Sequence, residues 1–107
     1  KAAFFKALAH PVRLAILEQL RDGEKNVHAI QTALGADQST VSQQLAHLRA
    51  SNIVEARKEG TTVYYAVRDP LLFALMDVAR DIFNNQILSG QMLLAELRQA
   101  NSPAQSQ

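Results

Sequence analysis

The side chains with most to offer chemically fall in one short stretch, Gln38-Ser39-Thr40-Val41-Ser42-Gln43-Gln44-Leu45-Ala46-His47. Ser, Thr and Gln donate and accept hydrogen bonds without carrying charge, which suits the mixed donor and acceptor edges of base pairs. No acidic residue follows Asp37 until Glu55, so nothing in the stretch repels phosphate. A second group, Arg57, Lys58 and Thr61, surrounds Gly60 and suits contact with a nucleic-acid backbone or a minor groove. Two basic residues beside a turn are, alone, usually just solvated charge, so this group counts only alongside the first.

Other chemistries find less support. His10, His28 and His47 are scattered, and the chain has no cysteine, so it offers no thiolate metal site, disulfide or thiol switch. His10 precedes Pro11 at a helix start, where capping or packing is the expected role. His28 stands alone, which reads as an ordinary surface or boundary side chain, and His47 lies on the flank of the polar stretch. Asp77 and Asp81 are one helical turn apart and suit a hard cation, yet beside Arg80 they read as a solvated acidic strip. There is no nucleophile–base pair at informative spacing and no phosphate-binding glycine loop, so an enzyme is not expected. Neither a metal nor a cofactor is called for.

Bulk properties narrow the class further. The 107 residues fit one domain, expected over residues 1–100, with a polar, disordered tail over 101–107. The formal charge of +1 gives no general attraction to nucleic acid, so any such role must come from arrangement. No apolar run approaches the roughly 20 residues of a membrane helix, nothing resembles a signal peptide, and a cytoplasmic location is expected. The chain opens at Lys1 rather than methionine, which leaves room for a leader ahead of it.

The elements that must position these residues follow from punctuation. Phe4, Phe5 and Leu8 form an apolar stripe at helical spacing, closed by His10-Pro11. A second helix runs from Pro11 through Val12, Ile16, Leu17 and Leu20 to Asp22-Gly23. Asn26 caps a short third helix that Gly35 stops, and a fourth begins near Gln38 or Ser39. Steps of about 100° per residue gather its Val41, Leu45 and Leu48 on one side. Ser39, Gln43, Ala46 and Ala50 then face the other way, flanked by Thr40, Ser42 and His47. Residues 53–57 and 62–67 alternate as two strands around a turn at Lys58-Glu59-Gly60-Thr61, and Asp69-Pro70 restarts a helix reaching to about Arg98. Helices, a tight turn, a polar-faced helix, a two-stranded β-hairpin and a long helix make a mainly α chain, a winged helix-turn-helix.

Two runs carry a family resemblance: "KALAHPVRLAILEQL" from Lys6 and "STVSQQLAHLRASNIVEARKEGTTVYYAV" from Ser39. Together they resemble the ArsR/SmtB family of bacterial repressors over nearly the whole chain. The resemblance implies a homodimer joined through the first and last helices, binding double-stranded DNA at an inverted-repeat operator and released by an inducer. Carried over by position, it makes Ser39, Thr40, Ser42, Gln43, Arg57 and Lys58 the DNA contacts. Gln38, His47 and Thr61 complete the candidate surface. The family's metal sites do not carry over. Where relatives have Cys-x-Cys this chain has Asn26-Val27-His28, and no histidine follows His47.

Self-association is expected on independent grounds. Leu72, Met76, Ala79, Phe83, Ile87 and Leu94, with their neighbours, leave little of the last helix polar, and a monomer of this size cannot cover it. Phe4, Phe5 and Leu8 add a second apolar surface. The competing reading is a winged helix used only for protein–protein contact, since fold alone does not fix function; the small, neutral face weighs against it. A lone histidine with scattered carboxylates binds metal weakly. His28→Ala is therefore expected to leave duplex binding unchanged, with or without zinc, nickel or cobalt in a competing chelator. Release of DNA at low free metal, abolished by His28→Ala, overturns that reading.

Overall fold

A proline sets the first boundary in the computed structural model, which describes residues 1–100. α1 (Ala2–Leu8) stops short of His10, whose extended backbone is the conformation preferred before proline. Pro11 opens α2 (Pro11–Gln19), and His10 Nδ1 accepts a hydrogen bond from the Val12 N–H at 3.2 Å. His10 is thus a helix cap. α2 tightens into a 3-10 turn (Leu20–Asp22) before Gly23. Asn26 accepts from the Ala29 N–H at 2.8 Å and caps α3 (Val27–Leu34), which ends at Gly35 in the left-handed conformation, φ 65°. Asp37 caps α4 (Gln38–Ala50) by accepting from the Thr40 N–H at 2.7 Å. The tail expected over residues 101–107 lies outside the described residues.

The sheet departs from the expected two-stranded hairpin. β1 (Lys25–Asn26), β2 (Val54–Glu59) and β3 (Thr62–Val67) form a three-stranded antiparallel sheet in the order β1-β3-β2. Lys25 pairs with Tyr65 and Asn26 with Tyr64. A two-residue strand has no periodicity to read, which is why the sequence gives no sign of it. Glu59 pairs with Thr62, so the turn is the two residues Gly60-Thr61, and Lys58 and Glu59 belong to β2. Gly60 has φ 62°, the positive value a type II′ hairpin turn requires at its first central position.

Ile16, Leu17 and Leu20 from the α2 segment, Ile30 from α3, Val41, Leu45 and Leu48 from α4, and Ile53 and Val54 leading into β2 are buried together. At about 1.5–3 kcal/mol for each large aliphatic side chain, this burial is the main attraction holding α4 in place. α4 packs on α2, α3 and β2, and no buried side-chain polar atom among the described residues lacks a partner.

α5 (Leu71–Ala100) starts where the Asp69 carboxylate accepts from the Leu71 N–H at 3.0 Å, and it runs through Ser89-Gly90 without interruption. The chain divides into two compact units, residues 1–73 and residues from Ala74 onward. Leu72 belongs to the core of the first, only 6% exposed, which corrects its expected place on a dimer surface. An apolar helix shows by periodicity that it has two greasy sides, not which of them its own chain covers. In the second unit Arg80 pairs with Asp77 at 2.7 Å, the solvated strip expected there.

Hydrogen bonds from the Thr40 hydroxyl and Thr40 N–H hold the Asp37 carboxyl below its ordinary range. A depressed folded-state value means the cap stabilises fully above the unfolded carboxylate pKa and is lost as pH falls through the folded one. Asp37→Asn keeps the capping geometry and removes the charge. Urea midpoints compared from neutral pH to about pH 3, below the usual Asp range, are expected to show wild type losing its advantage over Asp37→Asn on acidification. A difference independent of pH contradicts this account of the cap.

Candidate nucleic-acid interface

Because Val41, Leu45 and Leu48 face inward, the outward face of α4 is fixed by the helical period. Gln38, Ser39, Ser42, Gln43, Ala46, His47 and Ala50 are all exposed, so the face derived from the sequence is brought together on one surface. Thr40 differs. It is half-buried, and its N–H and side chain both bond to the Asp37 cap, so it has less to offer a ligand. The face carries no carboxylate, and small residues at positions 39, 42, 46 and 50 let a second molecule come close to the helix axis.

At the wing the structure corrects one expectation. Arg57 was expected at the hairpin tip with its guanidinium available, but it pairs with Tyr64 inside the ladder. Its Nε and Nη2 both donate to the Glu24 carboxylate, and its Nη1 donates to Glu59 Oε2 at 2.8 Å. The guanidinium also lies 5.0 Å from the centre of the Tyr64 ring. Hydrogen bonding to Arg57 holds the Glu24 carboxyl below its ordinary range, and the two carboxylates push the Arg57 pKa up. All three side chains are well exposed, so the cluster adds little to stability; it offsets the Arg57 charge with two carboxylates. Lys58 and Thr61 stay exposed at the end of the hairpin, and Lys58 has no ion pair among the described residues.

Sequence reasoning missed four participants. Glu24 and Tyr64 reach Arg57 through pairings that local spacing does not reveal, one of them across 33 residues. Arg13 and Gln44 meet across 31 residues, the Arg13 Nε donating to Gln44 Oε1 at 2.8 Å. Gln44 did carry a usable signal. It lies three residues after Val41 and four before Leu48, on the inward side of α4.

Comparison with known proteins agrees with this architecture. Residues 10–56 match the family described as bacterial regulatory protein, arsR family. An uncharacterised HTH-type transcriptional regulator of Mycobacterium tuberculosis, Rv0081, is 36% identical over 103 residues, spanning 95% of this chain and 90% of that protein. Its crystal structure superposes with a TM-score of 0.74 at 37% identity, covering 85% of this chain and 91% of that one. The homodimeric winged helix-turn-helix DNA-binding domain Mb0332 of Mycobacterium bovis gives 0.72 at 42% identity, covering 79% and 82%. The transcriptional repressor BigR of Xylella fastidiosa gives 0.70 at 36% identity, covering 77% and 84%. With a helix-turn-helix of this geometry and a relative matched along nearly its whole length, this chain belongs to the arsR family of bacterial regulatory proteins.

Proposed function

We propose that this chain is a transcriptional repressor that binds double-stranded DNA as a homodimer, each protomer laying α4 in a major groove. The observation that carries this reading is the exposed, acid-free face of Ser39, Ser42, Gln43, Ala46 and His47 on a helix whose other side is locked into the core. Gln43 is the base-reading residue, because its amide offers a donor and an acceptor together, the pattern adenine presents in the major groove. Ser39, Ser42 and Gln38 near the helix N-terminus hold backbone phosphates or base edges. Thr40 acts mainly as part of the cap. The wing contributes Lys58 and Thr61, and Arg57 reaches phosphate only by giving up Glu24 or Glu59.

The dimer reading rests on exposure. In the single chain Phe5 is 59% exposed, Phe83 60% and Leu94 53%, with Ile87, Ala79 and Phe4 also open and Leu8 and Met76 half-covered. A second copy is the simplest cover for such surfaces, and a two-fold dimer matches an inverted-repeat site. Blocking transcription follows from occupying such a site, and the repressors among its relatives favour that sign. Among the described residues no helix is long and apolar enough to cross a membrane, so these surfaces are not read as a transmembrane segment.

Selection of duplexes from a random library, followed by anisotropy titration, tests the reading. Gln43→Ala is expected to cost about 1–3 kcal/mol on the selected duplex and little on an unrelated one. Lys58→Ala is expected to weaken both and to flatten the salt dependence by roughly one unit, as loss of one phosphate contact should. If no duplex is enriched, the DNA reading falls and the protein–protein alternative takes its place. Separately, sedimentation at micromolar concentration is expected to give about 24 kDa, twice the 11.8 kDa chain. A stable monomer there contradicts the dimer.

A further inference from the structure

We infer that Arg13 is a positioning residue for the reading helix, acting through Gln44 to fix how α4 is set in its protomer. This deepens the DNA-binding proposal and rests on it. Arg13 is half-buried in the first turn of α2. Its Nε donates to Gln44 Oε1 at 2.8 Å, and its Nη1 donates to the Ala7 carbonyl at 3.0 Å. Ala7 is the buried residue of α1, so one guanidinium joins the last turn of α1, the start of α2 and the middle of α4. Gln44 is half-buried and directly follows Gln43, the exposed base-reading candidate.

The reason for a polar tie here is direction. Val41, Leu45 and Leu48 hold α4 by burial, which is large but non-directional and tolerates small rotations and slides. A bidentate base contact does not, because its donor and acceptor atoms must lie within about 2.7–3.2 Å of their partners. The guanidinium fork is planar and rigid, so two bonds from it to two different helices fix an angle as well as a distance. Arg13 has no carboxylate partner among the described residues and is matched only by neutral carbonyl groups. A site selected for stability alone would be served as well by an apolar side chain of similar length. What an arginine adds is orientation. Because the second bond ends on α1, the tie also makes the setting of the reading helix depend on the helix whose Phe4 and Phe5 are offered to a partner.

The test uses a duplex enriched from a random library by the wild type and an unrelated duplex of equal length. Arg13→Met, Gln44→Met, their double variant and Arg13→Lys are titrated by anisotropy over a range of salt, with thermal unfolding alongside. Each methionine variant is expected to lower the ratio of selected to unrelated affinity by about tenfold, the scale of one lost charge-assisted hydrogen bond. The double variant is expected to be no worse than the poorer single, because both remove the same tie. Arg13→Lys should behave like Arg13→Met, since an ammonium lacks the fork. Affinity for the unrelated duplex and its salt slope should not move. If Arg13→Met does not fold, Gln44→Met and Arg13→Lys decide the matter by the same ratio. Additive losses in the double variant overturn the inference. So does an unchanged ratio in Gln44→Met. A salt slope reduced by about one unit in Arg13→Met, with Arg13→Lys behaving as wild type, makes Arg13 a phosphate contact instead. A wild type that enriches no duplex removes the DNA reading and this inference together, whereas enrichment with fully discriminating variants removes the inference alone.

Discussion

The burial of Val41, Leu45 and Leu48 against Ile16, Leu17 and Ile30 determines everything presented outside. A helix shows only what it does not bury, and at about 100° per residue three buried positions leave no freedom about the rest. Ser39, Ser42, Gln43, Ala46 and His47 are outside because those three are inside. The caps on either side serve the same end. Gly35 ends α3 with a left-handed residue, Ala36 turns the chain, and Asp37 opens α4 at once, so the two helices of the motif are held by a three-residue joint.

Electrostatics adds to this by local arrangement rather than by total. Eleven basic and ten acidic residues nearly cancel, yet none of the acids lies between Gln38 and Val54. Of the acids near the wing, Glu24 and Glu59 share Arg57 and leave one negative charge between them, while Lys58 stays exposed beside them. For a surface meant to meet a polyanion this is economical. In the proposed complex the Lys58 charge stands at the rim, where attraction needs no fixed geometry, and the centre carries neutral groups suited to hydrogen bonds that depend on the base they meet. The Glu24–Arg57–Glu59 cluster carries one net negative charge that offsets Lys58, so the wing has only a small net field.

Local chemistry in the sequence made most of the boundaries legible. Pro11, Asn26, Gly35, Asp37, Gly60 and Asp69 each act within a few residues of their own position, and each does what its chemistry dictates. The outward face of α4 was legible for the same reason, as a matter of period. What escaped were pairings between distant positions. β1 exists only because Lys25 and Asn26 meet Tyr65 and Tyr64, and nothing in two residues announces that. Arg57 read as a free wing charge because Glu24 is 33 residues away, and Leu72 read as an interface residue because a helix apolar on several sides does not say which side is covered at home. Thr40 sits three residues after an Asp cap, a spacing that commits its N–H to Asp37.

The exposed apolar side chains of α5 bear on stability as much as on assembly. Among the described residues from Ala74 onward all but Met76 are exposed, and the helix still runs to Ala100. Helices of this kind owe most of their stability to packing of an apolar face, and intrinsic propensity contributes little. In the proposed dimer that packing comes from the second copy, so ordering the helix and joining the protomers become one equilibrium, set by protein concentration. The same coupling acts on DNA. Two reading helices can engage two half-sites together only while the dimer holds, and the second engagement then occurs at an effective concentration set by the dimer rather than by the solution. A regulator built this way loses its grip on an operator when its dimer is loosened or re-angled, without any change to the residues that touch the bases.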